Sequence, residues 1–85
     1  MNEFIENKLE KLETFFDKIV DEDVYLKLES HQQLKDKTSE FKLNVPGVTL
    51  FSSETAKNFE AATDLAAESL RRQLKKYKEK QKINY

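Results

Sequence analysis

The residues of this chain best equipped for chemistry are its cations. Arg71, Arg72, Lys75, Lys76, Lys78, Lys80 and Lys82 share residues 71–85 with one acid, Glu79, giving a local charge of +6. Residues 1–70 hold eight lysines against fifteen acids, a balance of −7, so the overall −1 conceals a divided molecule. A cation or two near a helix C-terminus answers the macrodipole, but seven exceed that need. A basic end on an acidic body points to a polyanion, with nucleic acid the first choice.

Other chemistries find little support. The chain has no cysteine, which removes disulfides, thiolate catalysis and cysteine-based zinc sites. A single histidine, His31, has no acid or nucleophile at a telling spacing and reads as an ordinary solvated side chain in a loop. The one glycine cannot build a phosphate-cradling loop, which needs several. Carboxylates are plentiful, but a catalytic pair needs a cleft to hold them apart and shift one pKa. Ser52 and Ser53 have no base nearby and read as strand-end or turn residues. No enzyme, cofactor, metal or small-molecule substrate is therefore expected. Apolar runs are short and the opening MNEFIENK has no signal-peptide core, so a cytoplasmic domain with no membrane contact is expected.

The basic end must be carried by something. At 85 residues, 38% hydrophobic and 36% charged, the chain makes one domain over residues 1–85, with a thin core. Ile5, Leu9, Leu12, Phe16 and Ile19 recur at spacings of four and three, which predicts an amphipathic helix over 3–19. Lys8, Lys11 and Lys18 flank its apolar stripe, and Glu6, Glu10, Glu13 and Asp17 lie across from it. Val24, Leu26 and Leu28 then alternate with Tyr25, Lys27 and Glu29, predicting a half-buried strand over 23–29. A polar loop, 31–39, precedes a second strand on Phe41, Leu43 and Val45. Pro46-Gly47 signals a turn into a third strand, 48–53.

Asn58 is a plausible N-cap for a long last helix whose apolar stripe runs Phe59, Ala62, Ala66, Leu70, Leu74 and Tyr77. That stripe assigns Tyr77 to the core rather than to base stacking. Small residues in its first half suit close approach to a sheet; its charged second half is expected to project past it. Arg71, Lys75, Lys78 and Lys82 fall within about 60° of one another on this helix, away from the core face. Arg72, Lys76 and Lys80 occupy neighbouring rows, and none of the seven is expected to serve the core. The predicted fold is α+β, a two-layer sandwich of order α-β-β-β-α with antiparallel strands and both helices on one face.

Three stretches bring this arrangement close to a known family. Asn7 to Glu13 with Phe15-Phe16-Asp17, Asn44-Val45-Pro46-Gly47 with Thr49-Leu50, and Ala61 to Ala66 with Leu70 and Gln73 to Lys78 appear in order. The chain resembles, over nearly its whole length, the bacterial ribosome hibernation-promoting factors, or ribosome-associated translation inhibitors. The resemblance implies a β-α-β-β-β-α fold. It also implies binding to the small ribosomal subunit and its rRNA, in the channel used by tRNA and messenger RNA, silencing idle ribosomes under stress or in stationary phase. It places rRNA contacts on Arg71, Arg72, Lys75, Lys76, Lys78 and Lys80, with Lys8 and Lys11 contributing from the first helix; Lys82 joins them through the basic stripe.

Family members begin with a strand before the first helix, whereas Met1 here already stands in the helix pattern. The strand edge beside Val24–Leu28 is therefore expected to be unpaired and open to self-association. The chain also stops after its last helix, as the short forms do. Two other readings stay open. A double-stranded-RNA-binding domain shares the element order but grips phosphates at the start of its last helix, where only Lys57 stands here. A protein-interaction module would use the open strand edge instead.

Overall fold

The computed structural model describes residues 2–28 and 37–83. His31, Glu29, Tyr85 and most of the expected polar loop lie outside the described residues. The element order is α1 (Asn2–Phe15), β1 (Asp21–Leu28), β2 (Lys37–Val45), β3 (Val48–Ala56) and α2 (Phe59–Ile83). The strands form one antiparallel sheet in the order β1-β2-β3. This is the expected α+β arrangement.

Local sequence explains most boundaries. Pro46 has its φ fixed by its ring and Gly47 adopts φ 87°, so two residues reverse the chain between β2 and β3. The Asn58 side chain accepts a hydrogen bond from the Ala61 backbone N–H at 2.7 Å, capping α2 as its position suggests. Strand β1 begins two residues early, at Asp21, and three expected ends move further. Helix α1 stops at Phe15, four residues early, and Ile19 reaches the core from the following turn. Strand β2 begins at Lys37 rather than Phe41, because Thr38 and Ser39 are buried, hydrogen-bonded strand residues. Strand β3 continues to Ala56, which makes Ser52 and Ser53 interior strand residues, correcting their reading as strand-end or turn positions.

The core joins both helices to the central strand. Leu12 and Phe16 meet Phe41, Leu43 and Val45 of β2 and Ala66, Ala67, Leu70 and Leu74 of α2. The alanines allow α2 to lie close to the sheet, and small polar groups complete that contact. Ser52 Oγ donates to the Ala66 carbonyl at 2.8 Å, and Thr63 Oγ1 donates to Ser39 Oγ at 3.1 Å, all within the buried layer. Such pairing, together with that of the Thr38 and Thr55 hydroxyls, removes the penalty of burying four polar side chains. Polar pairs across the strands add to it. The Asn44 carboxamide donates to Asp21 and accepts from Thr49, linking all three strands near the turn.

Strand β1 departs from its sequence pattern. Val24 packs at the core margin, but Leu26 is 39% and Leu28 67% exposed. Alternation placed them on the right face; among the described residues no helix covers that end of the sheet. The edge of β1 away from β2 has no strand partner among the described residues.

One carboxyl couples α1 to β1. Glu22 shares a face with Val24, and one of its oxygens is buried with no hydrogen-bond partner among the described residues. Burial, then a hydrogen bond with Glu13, then the Glu13 charge, raise its pKa from the ordinary 4.5 to about 8. The folded state thus holds a proton that the unfolded chain has released. Stability from this group is full below about pH 4.5 and is lost as pH rises toward 8. Glu22→Gln is expected to flatten that slope, melting above the wild type at pH 8 and level with it near pH 4.5, as thermal melts across the range will test.

Candidate nucleic-acid interface

Helix α2 carries the basic residues because its core stripe leaves the rest of its circumference to solvent. Leu70 and Leu74 are fully buried, while Arg71, Arg72, Lys75, Lys76 and Lys80 are exposed. The cations divide into two flanks. Arg71, Lys75 and Lys78 look toward α1, and with Phe15 and Glu79 they line a shallow depression of about 390 Å³. Arg72, Lys76 and Lys80, spaced by four, run along the other side, where Lys76 and Lys80 border the β2–β3 hairpin. Lys82 lies in the last turn of α2, and its side chain is outside the described residues.

Lys78 has a structural task. Helix α1 has no cation in its own last turn. Lys78 supplies one from α2, donating from Nζ to the Phe15 carbonyl at 3.1 Å, with its charge 4.5 Å from the Phe15 ring centre. The contact satisfies a helix-end carbonyl and meets the negative end of the dipole. None of the seven cations is expected in the apolar core, and Lys78 acts instead at a helix end; a tether between residues 63 apart leaves no trace in helix periodicity. Arg71 lies 5.4 Å from the same ring centre and 3.8 Å from Glu68.

The α1 lysines sit beside α2. A groove of about 480 Å³ between the helices is lined by Lys8, Lys11, Leu12, Asp64, Leu65, Ala67, Glu68 and Arg71. Lys8 forms an ion pair with Asp64 and lies 5.3 Å from the Phe4 ring centre. Lys11 is exposed at the groove edge. The structure therefore gathers Lys8, Lys11, Arg71, Lys75 and Lys78 on one side, with Asp64 and Glu68 among them. Sequence reasoning missed Asp64 as a partner, since only the crossing of the helices brings it to Lys8.

Tyr77 is committed to the fold, as its place on the apolar stripe suggests. Its ring meets Phe16 edge-on at 5.4 Å between centres, and its hydroxyl donates to the Pro46 carbonyl in the turn. The start of α2 offers only the exposed Lys57, unlike the grip of a double-stranded-RNA-binding domain.

A two-layer α+β domain with a concentrated basic helix end has the build of a polyanion-binding module. The chain belongs to the family described as Sigma 54 modulation protein / S30EA ribosomal protein, whose profile matches residues 1–82. It is 37% identical over 81 residues to a protein of Pseudomonas putida named ribosome hibernation promoting factor, covering 95% of this chain and 76% of that one. A ribosomal subunit interface protein from Coxiella burnetii has a similar structure, with a TM-score of 0.78 at 26% identity, covering 91% of this chain and 80% of that one. The N-terminal domain of Thermus thermophilus Protein Y is also similar, with a TM-score of 0.77 at 26% identity over 89% of this chain and 80% of that one. No described helix is long and apolar enough to cross a membrane.

The two kinds of lysine on α2 are separable by mutation. Lys78→Ala is expected to remove about 1 kcal/mol and lower Tm by roughly 5 °C, because α1 loses its terminal cation. Lys75→Ala, on an exposed part of the same flank, is expected to stay within about 0.5 kcal/mol of wild type. Calorimetry of both variants at one pH provides the comparison.

Proposed function

We propose that this domain is a ribosome hibernation factor. It silences translation in the cytoplasm by binding rRNA of the small subunit, in the channel that tRNA and messenger RNA use. The observation that carries the reading is the exposed basic face of α2, whose opposite face is anchored to the sheet and the hairpin turn along its length. Family membership supplies the ribosomal context. The proposed contacts are Arg71, Arg72, Lys75, Lys76, Lys80 and Lys82, with Lys8, Lys11 and Lys78 at the α1 side. Nothing in the mechanism requires a reaction or a cofactor: occupancy of the channel excludes its other ligands.

The physics of such binding is counterion release. If about five phosphates are neutralised, log affinity falls with log salt at a slope of roughly −3.5 to −4.5. A second reading rests on β1, whose outer edge and exposed Leu26 and Leu28 suit addition of a strand, including that of a second copy. Strand addition has little dependence on salt, so the two readings separate.

The test is co-sedimentation with purified small subunits across a salt series. Arg72→Glu, Lys75→Glu and Lys76→Glu together alter exposed positions and spare Lys78, so circular dichroism should report an intact fold. Wild type should pellet with subunits at low salt and lose them steeply as salt rises, and the triple variant should stay in the supernatant. A folded triple variant that binds as wild type does would overturn the reading and favour the strand edge.

A further inference from the structure

The two basic flanks of α2 do not border the same kind of surface. The flank toward α1 is interrupted by Asp64 and Glu68, and its Lys78 is tied to Phe15. The flank toward the hairpin borders a second depression of about 390 Å³, lined by Val48, Leu50, Gln73, Lys76, Tyr77 and Lys80. Its floor is apolar, with Val48 45% exposed at the exit of the turn. Its walls are fixed, because the Tyr77 hydroxyl is held by the Pro46 carbonyl and the Gln73 amide donates to the Phe51 carbonyl at 2.9 Å. Lys76 and Lys80 stand on the rim, one helical turn apart, and neither forms an ion pair among the described residues.

We infer that this depression receives one unpaired nucleobase of the bound RNA, while Lys76 and Lys80 hold phosphates beside it. The inference rests on the RNA-binding reading above and adds a contact that charge alone does not supply. A preorganised apolar floor of Val48 and Leu50, walled by Tyr77, stabilises a flat base through dispersion. The Gln73 N–H donates to Phe51, and its carboxamide oxygen can accept from an exocyclic amino group, which adenine, cytosine and guanine carry and uracil lacks. The lysine spacing fits charges repeated along a backbone, and the row continues past the pocket to Arg72. An amphipathic acidic helix would need apolar anchors spread over several turns, and Val48, Leu50 and Tyr77 form a single small patch.

Fluorescence anisotropy with the full chain tests this, using a single-stranded adenosine decamer and a ribose-phosphate decamer of the same length without bases. Wild type should bind the adenosine RNA about tenfold more tightly than the abasic strand, with equal salt slopes. Val48→Ser should remove that advantage and leave abasic binding unchanged. Lys80→Ala should weaken both strands and reduce both slopes by about 0.7. Equal wild-type affinity for the two strands, with a steep salt slope, would overturn the base pocket and leave RNA binding standing. Absence of binding to either strand, and to small subunits, would overturn both. If a peptide of alternating glutamate and leucine binds wild type but not Val48→Ser, while RNA affinity ignores Val48, the pocket belongs to a protein partner instead.

Discussion

Tyr77 is the junction on which the placement of the basic surface depends. Its ring edge meets Phe16, just beyond the end of α1, and its hydroxyl meets Pro46 in the hairpin turn. One side chain of α2 therefore contacts the segment that follows α1 and the β2–β3 turn at once. Upstream, Leu70 and Leu74 are buried in the shared core, so the helix approaches Tyr77 along a fixed line. Residues beyond it inherit that direction through helix geometry, since each further residue advances the axis by about 1.5 Å. A helix with mobile packing would spread its charges over many orientations, and simultaneous phosphate contacts would each carry an ordering cost. Here much of that ordering is built into the folded domain.

The acidic body is part of the same design. Asp21 accepts from Asn44, Glu40 pairs with Lys27 at 3.1 Å and Asp64 pairs with Lys8, so several acids act inside the domain. Surface pairs of this kind contribute little stability each, commonly up to about 1 kcal/mol. Their larger consequence is the field. With −7 on residues 1–70 and +6 beyond, a polyanion approaching at random is repelled by most of the surface and drawn to one end. Orientation then precedes contact.

How much of this was legible in sequence follows from the range of the interactions. The two-residue turn, the Asn58 cap and the apolar stripe of α2 depend on neighbours within a few positions, and all three appear as expected. Strand β2 runs longer than its apolar alternation indicates because Thr38 and Ser39, polar in type, pair their hydroxyls with Thr55 and Thr63 from distant elements. Leu26 and Leu28 were assigned the correct face, but burial requires something opposite them, which periodicity does not report. The charged stripe was visible as a list of candidates. Which member caps α1, which acid sits beside Lys8 and which flank adjoins an apolar floor all depend on packing across the chain.

That packing also ranks the cations. For a phosphate to engage Lys8 it must displace the Asp64 carboxylate, exchanging one screened anion for another in a side chain only 25% exposed. The net gain is the difference between two similar attractions, and Asp64 remains nearby as a repulsive neighbour. Lys78 faces a related conflict, since moving to a phosphate uncaps α1 and gives up the Phe15 ring. Arg72, Lys76 and Lys80 form no ion pair among the described residues, so a phosphate displaces water and counterions there, the exchange from which polyanion affinity arises. A fork of parallel donors further suits Arg72 to phosphate oxygens. On the proposed reading the weight of binding therefore falls on the hairpin side of α2, although the α1 side gathers five cations to its three.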